Sequence, residues 1–130
     1  SLKRGRTLLA VAPEAVAPAQ IRRLVAAGVV IALGHSEADY DCTRAAFAAG
    51  ASGVTHLFNA MSGFTHRAPG MAGAALENDQ VFAGVIADGH HIHPAALRIA
   101  IKAKGADRIM LVTDAMATVG SDCSEFDLQG

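Results

Sequence analysis

Histidine and aspartate side chains recur where short apolar runs of the sequence end. These side chains are His35, His56, Asp88, His90, His91 and Asp114. Two imidazoles and a carboxylate suit a divalent first-row ion such as Zn²⁺, which takes nitrogen and oxygen ligands and keeps one position open for water in catalytic sites. We therefore predict that His35 and His56 are metal ligands. Asp114 is predicted to be either a third ligand or the base that takes a proton from water.

The alternative for any one of these histidines is a helix cap or a loop side chain with a backbone partner. The occurrence of such residues at several strand ends argues against that alternative, because burying imidazoles and a carboxylate together is costly unless they pair or bind a metal. A second set of donors suits a substrate anion: Arg67, His91 and Asn59. A solvated loop residue is an equal alternative for Arg67. We predict that three histidines are surface or loop residues: His66, His90 and His93.

The elements that must position these residues alternate along the chain. Apolar runs at residues 7–11, 29–33, 53–56, 81–87 and 108–113 predict strands. Amphipathic stretches at 18–27, 37–49 and 94–104 predict helices, and a short helix at 71–76 lies within a long loop at 59–80. This alternation predicts an α/β fold with about five parallel strands, and the apolar runs indicate burial on both strand faces. The carboxyl ends of parallel strands share one edge, so the candidate residues converge there.

Local signals add expectations about individual side chains. Ser36 is expected to cap the second helix, with Asp39 three residues on. Met71 and Phe64 are expected to pack beneath the long loop. Ser36 and Cys42 are not predicted to be nucleophiles, since one precedes a helix and the other lies within it.

Composition narrows the class of partner. The chain has 130 residues, a net charge of −1 and a pI of about 6.6, which favours a small-molecule or protein partner over nucleic acid or a membrane surface. The length allows one ordinary domain. Cys42 and Cys123 are expected to be free thiols in a reducing compartment, with the cytoplasm as the default. No membrane span or signal peptide is predicted.

Several motifs, in this order, carry a family resemblance: AVAPE, GHS, GVTHLFNAM, HRAPGMAG, IADGHHIHP and LVTDAMATVG. Together they resemble the N-acetylglucosamine-6-phosphate deacetylases of the amidohydrolase superfamily. The resemblance implies a (β/α)₈ TIM-type barrel in which a Glu and two His hold a divalent metal, Zn or Fe. An Asp on the last strand serves as base and then acid. The implied reaction is hydrolysis of N-acetylglucosamine 6-phosphate to glucosamine 6-phosphate and acetate.

The resemblance also assigns roles to individual residues. It makes His35 and His56 the metal ligands and Asp114 the catalytic acid/base. Arg67 and His91 resemble the residues that receive the sugar phosphate near a homodimer interface. The substrate-contacting set that it implies is Asn59, Ala60, Arg67, Asp88, Gly89, His90 and His91.

The extent of the resemblance sets a further expectation. The family's Glu ligand and an upstream His have no counterpart in the sequence, and a barrel of this type typically needs about 250 residues. Residues 1–130 are therefore predicted to be the C-terminal part of a barrel domain, with about 119–130 leading out of it. The alternatives are another amidohydrolase, acting on a cyclic amide or an unphosphorylated sugar, and a non-catalytic module.

Overall fold

The computed structural model describes residues 5–116 and 118–122 of the chain. The strands are β1 (Leu8–Val11), β2 (Val30–Leu33), β3 (Gly53–Val54), β4 (Phe82–Val85) and β5 (Ile109–Leu111). The helices are α1 (Pro18–Ala26), α2 (Tyr40–Ala48), α3 (Gly70–Glu77) and α4 (Pro94–Lys104), followed by a 3₁₀ turn at Ala106–Arg108. The predicted thiol of Cys123 and most of the predicted exit segment lie outside the described residues.

The strands form one parallel sheet in the order β1-β2-β3-β4-β5. Each strand therefore pairs with the next one along the chain, and a helix makes every crossover. Such crossovers are almost always right-handed, so a sequential order places all of the helices on one face of the sheet. Each helix packs against the next. The predicted α/β class with parallel strands is confirmed, and the sheet of the described residues is open rather than closed into a barrel.

The hydrophobic core lies between the sheet and the helix layer. Its fully buried side chains include Ile21 of α1, Ile31 and Leu33 of β2, and Met71 of α3. These side chains are apolar and interlock between layers, so their burial supplies most of the drive for folding.

The prediction that the strands are buried on both faces is wrong for the sheet edges. Leu8 of β1 is 66% exposed and Met110 of β5 is 48% exposed, and both point into a cavity on the face opposite the helices. On the helix side of β5, Leu111 is 78% exposed. The reason is topological: the helices cover one face only, and β1 and β5 each have one neighbouring strand.

Helix α2 begins later than expected, and Ser36 is not its cap. Asp39 is the N-cap residue, and its side chain accepts a hydrogen bond from the backbone N–H of Cys42 at 2.8 Å. The Ser36 hydroxyl instead donates to Glu14 at 2.5 Å. Its backbone pairs with Met61, which keeps Ser36 out of the helix.

The long loop after β3 contains helix α3, as predicted. Met71 is fully buried, which confirms its packing role, whereas the ring of Phe64 lies against Gly73 of α3 but the residue is 62% exposed and so is not buried beneath the loop. Gly70 opens the helix with φ +61° and is buried against the backbone oxygens of Ser62 and Gly63. Helix α4 has the predicted bounds and is the longest in the described part of the chain, at 11 residues. None of the described helices could cross a membrane.

Candidate metal and substrate site

The imidazoles of His35 and His56 meet at the carboxyl edge of the sheet. His35 follows β2 and His56 follows β3, and because these strands are neighbours the two ring centroids lie 4.6 Å apart at an interplanar angle of 89°. His56 is buried, at 6% exposure, while His35 is exposed. The structure thus brings together the two histidines that the sequence predicts as ligands.

The tautomer of His56 follows from its hydrogen bonds. Its Nδ1 lies 2.9 Å from the backbone carbonyl oxygen of Asn59, which can only accept, so Nδ1 carries the proton. In the neutral imidazole the lone pair is then on Nε2, which lies 3.3 Å from the hydroxyl oxygen of Thr55. Metal-binding histidines typically donate their other ring N–H to a carbonyl or carboxylate in this way. Asn59 is therefore seen to orient His56 through its backbone.

The backbone at the site is strained. Four candidate residues other than glycine have positive φ: His35 at 50°, His56 at 28°, Ala60 at 46° and Asp114 at 49°. Each such conformation costs a side-chain-bearing residue about 1–3 kcal/mol and persists only where the surroundings hold it. Gly34 permits the close approach of β3, because a Cβ there would lie 2.0 Å from the Thr55 hydroxyl oxygen. The strands therefore end in sharp turns that direct side chains over the sheet edge.

Asp114 lies on the rim of the cavity that both histidines line. The cavity has a volume of about 720 Å³ and is floored by the uncovered sheet face. Among residues 5–116 and 118–122, no three His, Cys, Asp or Glu side chains come together as a metal site. Two imidazole nitrogens fit a divalent ion as part of its ligand set. Both roles predicted for Asp114, the base and the third ligand, stay predictions.

The segment after β4 forms a turn built on Asp88. Its Oδ1 accepts the backbone N–H groups of His90 and His91 at 2.9 Å, and its Oδ2 lies 2.8 Å from Nδ1 of His91. The N–H of His91 above all, then its ring and the N–H of His90, hold the pKa of Asp88 far below its usual range. Gly89, with φ +78°, allows the turn. Both carboxylate oxygens of Asp88 are thus engaged in hydrogen bonds within this turn, and the bond to the ring of His91 orients that imidazole.

The remaining residues predicted to contact substrate do not all lie at the cavity that His35 and His56 line. Arg67 is exposed in the loop before α3, and neither it nor His91 lines the 720 Å³ cavity. The Asn59 amide donates to the carbonyl of Leu57 at 3.3 Å, and the Ala60 carbonyl accepts the N–H of Ser36. The structure therefore does not bring Arg67 and His91 into the cavity with the histidine pair.

Two residues near the site were missed by the sequence predictions. Thr55 contacts His56, and Glu14, which follows β1, bonds to Ser36 beside His35. The signal that could have found Glu14 is a carboxylate directly after a predicted strand, within AVAPE.

Comparisons with known proteins add independent information. The chain is 52% identical over 122 residues to the N-acetylgalactosamine-6-phosphate deacetylase of a Shewanella species, covering 94% of this chain and 31% of that protein. It is 46% identical to the N-acetylglucosamine-6-phosphate deacetylase of Vibrio furnissii, covering 92% of this chain and 30% of that protein. No protein-family model matches.

A solved structure matches the fold as well as the sequence. It is an aspartate-to-alanine variant of N-acetyl-D-glucosamine-6-phosphate deacetylase from Mycobacterium smegmatis, in complex with N-acetyl-D-glucosamine-6-phosphate. It is 48% identical, with a TM-score of 0.84, over 88% of this chain and 30% of that one. This chain is similar to a segment of N-acetylglucosamine-6-phosphate and N-acetylgalactosamine-6-phosphate deacetylases. It spans about 30% of the length of the curated deacetylases that it matches.

Proposed function

We propose that the protein containing this chain hydrolyses the acetamide of an N-acetylhexosamine 6-phosphate, releasing acetate and the free amine. The observation that carries the proposal is the histidine pair, with ring centroids 4.6 Å apart and the Nε2 lone pair of His56 presented by its hydrogen bond to Asn59. The homology to named deacetylases supplies the substrate class. Localisation in the cytoplasm belongs to the same proposal.

The fold supports a place for this chain within a (β/α)₈ barrel. A sequential parallel sheet with every helix on one face has the architecture of part of such a barrel. The apolar side chains of the other face, such as Leu8 and Met110, would then fill the barrel interior. Barrel enzymes keep their sites at the carboxyl ends of the strands, which is where His35, His56 and Asp114 lie.

A divalent ion, Zn or Fe, would be held here by His35 and His56, with further ligands from outside this chain. When bound, such an ion lowers the pKa of water and polarises the acetamide carbonyl. Asp114 takes a proton from the attacking water onto a carboxylate oxygen as the new C–O bond forms. It then delivers that proton to the amide nitrogen as the C–N bond breaks, so that acetate and the amine leave.

Substrate anchoring is proposed for the second set of residues. The guanidinium of Arg67 and the imidazole of His91 bind the phosphate, while Asn59, Ala60, Asp88, Gly89 and His90 shape the surrounding loops. A homodimer interface near the phosphate is part of the same proposal, and Arg67, exposed outside the cavity, is accessible to a second subunit. The phosphate is remote from the bond broken, so its binding holds the acetamide in position for attack.

The configuration at the sugar C4 gives a second candidate substrate. The relative at 52% identity and another at 44% are N-acetylgalactosamine-6-phosphate deacetylases, which favours that epimer alongside N-acetylglucosamine 6-phosphate.

The test is acetate release by the full-length protein from both phosphorylated epimers and from unphosphorylated N-acetylglucosamine, together with metal analysis. We expect turnover of at least one phosphorylated epimer, and a loss of about 10²–10⁴-fold in kcat for Asp114→Asn with metal retained. Acetate release from the unphosphorylated sugar alone, or ring opening of a cyclic amide such as dihydroorotate assayed in parallel, would favour another amidohydrolase. No turnover of any amide would favour a non-catalytic module.

A further inference from the structure

A backbone bridge connects the loop that carries His35 to the loop that carries His56. Ser36, directly after His35, donates its backbone N–H to the carbonyl of Ala60 at 3.0 Å. Its own carbonyl accepts the N–H of Ser62 at 3.1 Å. The two histidine-bearing turns are therefore joined beyond the last residues of their strands.

The hydroxyls of the same two serines extend this connection. The Ser36 hydroxyl donates to Glu14 Oε2 at 2.5 Å and accepts the N–H of Ala38 at 3.0 Å. The Ser62 hydroxyl donates to the carbonyl of Ala38 at 2.5 Å and accepts the N–H of Met71 at 2.8 Å. Each hydroxyl thus acts as both donor and acceptor, and the network reaches from the loop after β1 to the first turn of α3.

The network acts on a part of the backbone that needs external support. His35 and His56 both have positive φ, a conformation that relaxes unless its surroundings hold it. Ser36 is 5% exposed, so its own side of these hydrogen bonds is shielded from water, and its bond to the exposed Glu14 is partly buried. Neither serine lines the cavity, and neither does Glu14, so any effect on a bound ion is transmitted through the histidines.

We propose that Glu14, Ser36 and Ser62 are positioning residues that hold the imidazoles of His35 and His56 at the separation that a shared divalent ion requires. We call these three residues the serine clip. The inference rests on the metal-holding role proposed above for the two histidines.

The test is Zn²⁺ affinity, measured on the full-length protein by competition with a chromophoric chelator. Removal of an outer partner of a metal ligand typically weakens metal affinity about 10- to 100-fold, and Glu14→Ala is expected to fall at the lower end of that range. Glu14→Gln keeps an oxygen that accepts from the Ser36 hydroxyl, so its affinity should stay near that of the wild type. Ser36→Ala is expected to weaken binding at least as much as Glu14→Ala.

Glu77→Ala is the matched control. Glu77 is also an exposed carboxylate that accepts a hydroxyl hydrogen bond, from Tyr40 at 2.5 Å, but it lies on α3 away from the histidines. Its loss should leave Zn²⁺ affinity unchanged. The melting temperature of each metal-free variant is measured in parallel, because a general loss of stability would affect both glutamate variants alike.

Wild-type affinity in Glu14→Ala, or equal weakening in Glu14→Ala and Glu77→Ala, would overturn the inference. Because Glu14 is exposed, its variants decide the question even if Ser36→Ala does not fold. The affinity measurement needs no substrate. A wild type that binds Zn²⁺ but releases no acetate would therefore reject the proposed deacetylase function. The Zn²⁺ affinities of the Glu14 variants would still decide whether the serine clip positions the histidines. A wild type that binds no divalent ion would reject both.

Discussion

The guanidinium of Arg67 has no ion-pair partner within residues 5–116 and 118–122, so its charge is available to an anion. A hydrogen bond to a charged group contributes about 1.5–3 kcal/mol. Arg67→Ala in the full-length protein is therefore expected to lower kcat/KM for the sugar phosphate about 10- to 100-fold, mainly through KM. Steady-state kinetics of acetate release measure this change.

Arg98→Ala is the control for Arg67, because Arg98 is an exposed arginine on α4 with no ion-pair partner in the described ranges. It should leave kcat/KM unaltered. An Arg67→Ala enzyme with wild-type kcat/KM for the phosphorylated sugar would contradict the phosphate role.

The carboxylate of Asp88 predicts a pH dependence of stability. Its pKa in the folded protein is lowered, first by the N–H of His91, so its hydrogen bonds stabilise the fold at pH values above the unfolded pKa of about 3.9. That contribution is lost as the pH falls through the lowered folded pKa. In urea unfolding, the midpoint of Asp88→Asn should lie below that of the wild type near pH 6, and the difference should shrink below about pH 4.

Asn78 provides the comparison for Asp88, because its neutral side-chain oxygen accepts the backbone N–H of Gln80 at 2.9 Å. An amide does not titrate, so any loss caused by Asn78→Ala should not narrow in acid. A gap between wild type and Asp88→Asn that stays constant across the acid range would show that the turn gains nothing from the ionised carboxylate.

At the scale of elements, the start of α3 depends on a glycine. Gly70 has φ +61°, and a Cβ there would lie 2.6 Å from the backbone oxygen of Gly63 and 2.8 Å from that of Ser62. Backbone oxygens cannot rotate away, so Gly70→Ala is expected to destabilise the protein by at least about 1–3 kcal/mol. The melting temperature of the full-length variant measures the loss.

Gly63 lies in the same loop, and a Cβ added there would meet nothing within 4 Å. Gly63→Ala should therefore melt close to the wild type. Equal melting temperatures for Gly70→Ala and Gly63→Ala would mean that α3 is not held against Ser62 as the structure shows.

At the scale of the whole molecule, the sheet face opposite the helices is an uncovered apolar surface. Leu8 and Met110 line it, and β1 and β5 have unpaired edges among the described residues. Exposed apolar patches and free strand edges promote association. The 130-residue chain on its own is therefore expected to bind a hydrophobic dye and to self-associate, as size-exclusion chromatography with light scattering would show.

A Leu8→Thr, Met110→Thr variant should bind less dye, since both side chains face the cavity. Val25→Thr changes an apolar side chain of the helix layer that is 36% exposed, and should have a smaller effect. A monodisperse wild-type monomer without dye binding would contradict the prediction.

The local pattern of the sequence was sufficient to predict the elements, apart from the start of α2, and the polar residue types at the strand ends. Pro94 and Gly105 bound helix α4 because proline suits a helix start and glycine a helix end, and both signals act within a few residues. The alternation of strands and helices determined a parallel sheet. His35 and His56 converge because they follow adjacent parallel strands.

Only the tertiary structure decided which partner each polar group meets. The hydroxyl of Ser36 bonds to Glu14, 22 residues away, rather than capping α2, and the lone pair of His56 is on Nε2 because a carbonyl happens to face Nδ1. The same holds for Leu8, an apolar strand residue that proves exposed. Periodicity reports which face of an element is apolar, whereas a hydrogen bond or a covered face depends on what the rest of the chain places within a few ångströms.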